Sequence, residues 1–546
     1  MLNKKYFFTF LVCFFLFSFL NEAHSKTLTI GISQEPNTLN PLLNTMTTGF
    51  EIIGLINRGL TVWDNDWNLV PDLAEEIPSI KNKGVVIMKN GSMKVFWRLK
   101  KDLKWSDGIP LTPEDFIYSH NLHLDKKIPV PSRTFDDLIE KMEGSDPRTL
   151  VVTWKIAFPY FDSFSVHPVL PKHIIEKRKE SEKENFYNSF GSIQYASNGP
   201  FKLLQWIPGV KISFDSNEYF YGSKPKIASV VYKIIPSIST IEANLISGVI
   251  DAVSVQDVSY DQAIAISERY KGKIEMVSRS GMVFEHIVFN LDDPWLKDKR
   301  VRKAIISAID RETIVKTLFN GGQDVAHTWL HPKHYGFNPS LDHYKYDTAL
   351  SKKLFKEAGF ITGEDGFLHD KEGKKMRLVI MSPSGNRMRE QIETIIQSYL
   401  KAVGVELEID NKHPKLFFSE YLQKRKFPHL ALYAIKSNPN TDGVILWTKG
   451  KIPSQENNWE GQNYPGFRNE ESDRLILKVP KTFSLAKRAE LLKKSQEIWV
   501  SELPAIPLFY RNDVCLRRAG LKGFEPTGNI TPSSWNAQDW DIQNSN

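Results

Sequence analysis

Beyond its first 25 residues the chain has one cysteine, Cys515, and no other feature narrows its possible folds so sharply. A lone thiol closes no internal disulfide, so about 520 residues must be held together by buried apolar surface. That length exceeds what one hydrophobic core usually serves, and two or three lobes are expected. The residues in front set the compartment. Lys4 and Lys5 precede the apolar run Tyr6–Leu20, and Ala23-His24-Ser25 places small residues at signal-peptidase spacing. Residues 1–25 are therefore expected to be a signal peptide, cleaved after Ser25. Cys13 lies inside the apolar run, followed by Phe14 and Phe15, whereas a lipid-modified cysteine ends such a run beside small residues. The expected product is a soluble periplasmic protein rather than a lipoprotein. No later segment reaches the roughly 18 unbroken apolar residues of a membrane helix.

The formal charge of +7 falls to +6 when Lys4, Lys5 and Glu22 leave with the leader. Basic groups such as Lys424-Arg425-Lys426 are short and diluted by acids, so a nucleic-acid partner is not expected.

Periodicity supplies the elements. KTLTIGI, Lys26–Ile32, alternates as a strand. GLTVWDNDWNLVPDLAEEI reads as a hairpin around Asp64-Asn65 followed by a short helix. Leu150–Trp154 is a strand, and residues 176–190 are a charged helix or loop. Ser197–Gly222 reads as two strands joined at Pro208-Gly209, Val230–Pro236 as another strand, and Ser239–Ser247 as a helix stopped by Gly248. Val301, Ala304, Ile305, Ala308 and Ile309 predict one long helix, Val301–Phe319. A further helix spans Thr348–Ala358. MRLVIMSP, the helix Asn386–Val403 and VELEID then alternate as strand, helix and strand, the pattern of an α/β lobe. Ser484–Val500 reads as a helix and Ala505–Tyr510 as a buried strand.

Catalytic motifs are largely missing. There is no G-x-S-x-G elbow, P-loop, G-x-G-x-x-G or H-E-x-x-H. Ser484–Lys487 fits S-x-x-K without the motifs that accompany it, and reads as a helix start. His327, His331, His334 and His343 fall in a proline-broken connector rather than at metal-ligand spacing, so no metal or other cofactor is expected. Cys515 reads as a small buried residue rather than a nucleophile. In the crowded stretch FWRLKKDLKWSDGIPLTPEDFIYS, Phe96–Ser119, Asp107 and Asp115 could form a carboxylate pair. Ser106-Asp107-Gly108 is turn chemistry, and Thr112-Pro113-Glu114-Asp115 is a helix start with acids facing the dipole. Scaffold is the better reading, and no catalytic residue is assigned.

That stretch also resembles the signature region of the family-5 extracellular solute-binding proteins, the oligopeptide- and dipeptide-binding proteins of ABC importers. TLNPLL, GLTVWDNDWNLVPDLAE, NGPFKLLQWIPGVKISFDSNEYFYG, KPKIASVVYKIIP, DDPWLKDKRVRKAIISAIDRETIV, YKYDTALSKKLFKEAGF, QNYPGFRNEESDRLI and LPAIPLFY follow in the same order. The resemblance implies an α/β, three-lobed periplasmic binding protein fold, type II-like with an extra inserted lobe. Lobe I would comprise 26–57, 189–283 and 506–546, lobe II 58–188 and lobe III 284–505. Lobes I and III would close on a ligand by hinge motion. The implied function is to bind short peptides in the interlobe cleft and deliver them to an inner-membrane ABC permease and its ATPase subunits, as a monomer and without catalysis. The same scaffold could bind a cell-wall peptide, haem or a metal chelate instead, and a chaperone-like peptide holder is a further alternative.

In the oligopeptide binders an aspartate in a W-x-x-D-like segment pairs with the ligand's α-ammonium. In the matching segment here, Ala431–Trp447, Asn438 stands where that aspartate is expected and Ile435 replaces the aromatic residue. Either Asp442 takes over after a local shift, the reading preferred here, or the ligand lacks a conventional free amino terminus. A plain turn cap is the remaining role for Asp442. Ser437 belongs to the same candidate segment. The loop Ser454–Phe467 adds Asn457, Asn458, Trp459, Gln462 and Asn463 as candidates for peptide amides, with a merely solvated loop as the competing reading.

Overall fold

A computed structural model describes residues 26–543 apart from 134–135, 164–167, 184, 193 and 256. The leader and Cys13 lie outside the described residues.

Two long antiparallel strands, Ile274–Phe289 and Ala505–Arg518, form the backbone of the molecule. They pair from Ile274 opposite Arg518 to Val288 opposite Ala505, with a register shift between Ser280 and Val283. Gly281 sits in that shift because a Cβ there would stand 2.8 Å from the Arg511 carbonyl oxygen. The pair is shared by two half-sheets. On one side lie, in order, Ala252–Val253, Thr27–Ile32, Ser229–Ile234, Lys211–Ser216 and Phe201–Ile207. On the other lie Leu430–Lys436, Arg377–Met381 and Glu406–Ile409. Thr27–Ile32 is parallel to both of its neighbours, as is Arg377–Met381. A separate antiparallel sheet takes the order Val85–Ile87, Met93–Arg98, Thr149–Trp154 and Ile139–Asp146.

Burial explains the pattern. Leu28, Ile30 and Ile32 fill one core with Phe201, Phe214 and Trp540. Leu378, Ile380, Ile392, Ile396 and Leu407 join the helix Arg387–Ala402 to its two strands in another. In the four-stranded unit Val95 and Trp97 point inward while Phe96 and Arg98 are exposed, as period two requires. Thr112 caps the helix Pro113–Leu124 in a capping box with Asp115, whose carboxylate accepts from the Thr112 and Lys172 amides at 2.9 Å each. Asp107 accepts from the Ile109 amide and meets His173 at 2.7 Å. Asp107 and Asp115 of the crowded stretch are thus engaged in scaffold.

Three of the differences from the sequence reading have a clear physical cause. The single helix over Val301–Phe319 is two, Lys299–Ser307 and Arg311–Phe319. Asp310 caps the second by accepting from the Thr313 amide at 2.9 Å, which ends the first. The short helix after the Asp64 hairpin is absent; that segment instead pairs Ala74 with Leu99. The 16-residue strand Ile274–Phe289 escaped detection because Ser278-Arg279-Ser280-Gly281 interrupts its apolar pattern.

Candidate functional site

Where the two half-sheets meet, a cleft of about 920 Å³ opens. It lies beyond the carboxyl ends of strands from both sides, the position at which open α/β sheets present ligand crevices. Thr27–Ile32 and Ala252–Val253 lead into one wall, with Val255, Ser259 and Tyr260. Arg377–Met381 leads into the other, formed by Pro383–Met388. Arg511, Asn512 and Asp513 of the shared strand form the floor.

The floor is charged, and each charge has a definable environment. Glu285 is fully buried and accepts from Arg389 Nη2 at 3.0 Å and from Arg511 Nη2. Burial alone would raise its carboxyl, but Arg511 and Arg389 outweigh it and hold it below the usual range. Two guanidinium groups share one carboxylate, so this group carries a net positive charge toward the cleft. Asn512 is fixed by the Gln323 Oε1 that its amide reaches at 2.6 Å and by its own side chain on the Gly322 carbonyl. Asp513 is half-buried, and burial pushes its carboxyl up to about 6. Behind the first wall Asp257 accepts from the Ser33 amide at 2.6 Å, and Glu51 accepts from the Ser533 amide at 2.8 Å. Burial lifts Glu51 to about 7.

None of the eight candidate residues lines this cleft. Ser437 donates from its amide and its hydroxyl to the Met282 carbonyl, tying its segment to the register shift. Asn438 accepts from the Asn440 amide at 2.8 Å in a tight turn. Asp442 accepts from the Val444 amide at 3.0 Å and from Tyr160 Oη at 3.1 Å, and burial raises its carboxyl. Arg488 lies 5.0 Å from the Tyr160 ring centre on the same side. Asp442 therefore sits between its own turn and the Tyr160 segment. In the second loop Asn457 accepts from the Ser454 amide, and Asn463 is fully buried with its amide spent on Thr448 and Phe467. Trp459 is half-buried, its carbonyl accepting from Gln423; Asn458 and Gln462 are exposed.

The sequence reading missed Arg511 and Asp513. Their signal was the charged interruption Arg511-Asn512-Asp513 inside an otherwise buried strand, AIPLFYRNDVCLRR. The expected chemistry at Cys515 does follow: its thiol is fully buried, and burial pushes it up to about 12, far from thiolate reactivity.

No described helix is long and apolar enough to cross a membrane. The chain is 26% identical to the oligopeptide-binding protein AppA of Bacillus subtilis over 513 residues, covering 91% of this chain and 88% of that one. Its structure is similar to that of an oligopeptide-binding protein from Thermus thermophilus complexed with a pentapeptide. That similarity has 28% identity and a TM-score of 0.64, covering 94% of this chain and 96% of the other. It is similar as well to NikZ from Campylobacter jejuni in complex with Ni(L-His), at 25% identity and a TM-score of 0.66, covering 94% and 99%. A family model matches residues 68–454, most of the chain. With that match and a cleft set between two half-sheets, the chain belongs to the bacterial extracellular solute-binding proteins, family 5.

Proposed function

We propose that this protein captures short peptides in the cleft between its half-sheets and hands them to an inner-membrane ABC permease energised by ATPase subunits. The observation that carries this reading is the cleft itself: about 920 Å³, placed at the carboxyl ends of strands from both sides and floored by opposite charges two residues apart, Arg511 and Asp513. A peptide is extended, polar along its backbone and zwitterionic at its ends. Strand-edge groups can hold its main chain while side chains occupy wet space. The peptide-binding relatives at 26% and 28% identity support the same ligand class.

Capture needs no covalent step in this reading. Lobe I comprises 26–57, 189–283 and 506–546, lobe II 58–188 and lobe III 284–505, with lobes I and III closing over the ligand. The protein works as a monomer in the periplasm after cleavage behind Ser25, without a lipid anchor. Asn458 and Gln462 are exposed outside the lining of this cleft, and Asp442 would need to leave Tyr160 to reach a ligand.

The test is native mass spectrometry of residues 26–546 purified without added ligand, followed by sequencing of whatever is released on denaturation. A mixture of short peptides is the expected result. A single non-peptide mass, such as a metal chelate, would overturn the peptide reading while leaving the capture role.

A further inference from the structure

We propose that Asp513 is the residue that receives a cationic group of the captured ligand, the α-ammonium when the ligand is a peptide with a free amino end. The inference rests on the peptide-capture reading above.

Asp513 lines the floor of the cleft, and its carboxylate neither accepts a hydrogen bond from nor forms an ion pair with any described residue. Of the other charged groups nearby, the cation Arg387 lines the cleft exposed, without a partner among the described residues, and the acids and Arg511 are committed. Arg511 is bound to Glu285, which Arg389 shares. Glu51 is held by Ser533, and Asp257 by Ser33. Asp261, exposed on the wall, accepts from Ser259 Oγ at 2.7 Å. Lys436 acts on Asp513 through space only. Gly281 keeps the space beside the carboxylate open, since a Cβ there would lie 3.2 Å from Asp513 Oδ2.

An unpaired carboxylate in a half-buried position is costly, and a cation arriving from solvent offsets that cost. The site is also rigid. Asp513 lies opposite Arg279 in a strand pair, and Asn512 beside it is bound on both its backbone and its side chain. A preorganised carboxylate loses little on binding. With Arg511 two residues along the same strand, the floor presents a negative and a positive group on one face.

Isothermal titration of trialanine and of its N-acetylated form tests this, using residues 26–546 as wild type, Asp513→Asn and Asp513→Ser. The wild type is expected to prefer the free amine. Both variants should lose roughly tenfold to a hundredfold in affinity for it and leave the acetylated peptide within about twofold. Equal losses for both peptides, or no loss for either, would overturn the assignment. Equal wild-type affinity for the two forms would overturn it too, while sparing the peptide reading. A wild type that binds neither form overturns both. Because the variants remove an unpaired charge, thermal midpoints at or above wild type are expected, so a folding defect is recognisable.

Discussion

Glu285 is fully buried against two arginines, and its substitution exposes how much the floor of the cleft depends on one carboxylate. Glu285→Gln leaves two guanidinium groups without their shared anion, and a loss of about 3–5 kcal/mol in urea-unfolding free energy is expected. Glu51 behaves in the opposite sense. Its folded carboxyl is raised from 4.5 to about 7 by burial, so between those values the folded protein binds more protons than the unfolded chain. Stability then falls as pH rises through this window, and the loss is complete above about 7. Glu51→Gln keeps an acceptor for Ser533 and should raise the thermal midpoint at pH 8 while leaving it nearly unchanged at pH 4. For Asp513 the relevant equilibrium is binding. Burial pushes its carboxyl up to about 6 while Lys436 acts to lower it, and Glu51 on a neighbouring element lies within electrostatic reach. Affinity for a free-amine peptide is expected to strengthen as pH rises from 5 to 7, and calorimetry at three pH values would read it.

Among the elements, the two helices around Asp310 show where periodicity misleads. Val301, Ala304, Ile305, Ala308 and Ile309 keep one apolar face through the break, so the pattern runs on although the backbone does not. Asp310 held the signal, since an aspartate followed three residues later by Thr313 is a capping arrangement. Asp310→Ala is expected to cost about 1 kcal/mol by thermal unfolding, without affecting ligand affinity. The long strand Ile274–Phe289 failed in the reverse way. Its central Ser278–Gly281 breaks the apolar alternation, yet it is where the strand, paired with Ala505–Arg518 on both sides of the break, gains Leu430–Lys436 as a second partner. A local rule cannot see that Val514 and Arg511, more than 200 residues away, supply the partners for Ser278 and Val283.

For the whole molecule, the shared strands predict how ligand binding should register. If the half-sheets close on a peptide, the radius of gyration measured by small-angle X-ray scattering should fall on saturation, and peptide at 100 times Kd should add about 2.7 kcal/mol of stability. An unchanged scattering curve with full occupancy would argue for a rigid cleft. The α/β class, the strand–helix–strand unit at residues 377–409 and the scaffold role of Trp105–Asp115 were legible because they follow from local periodicity and capping. The family was legible because ordered motifs span the chain. The cleft was not, because its floor and walls come from segments near residues 255, 320, 385 and 512. Sequence by itself determined which faces are apolar, where turns and caps fall, and that the residues beyond the first 25 hold a single cysteine. Only the tertiary structure decided that Asp442 faces Tyr160 while Asp513 faces the cleft, because a carboxylate's role depends on what the fold brings within reach of it.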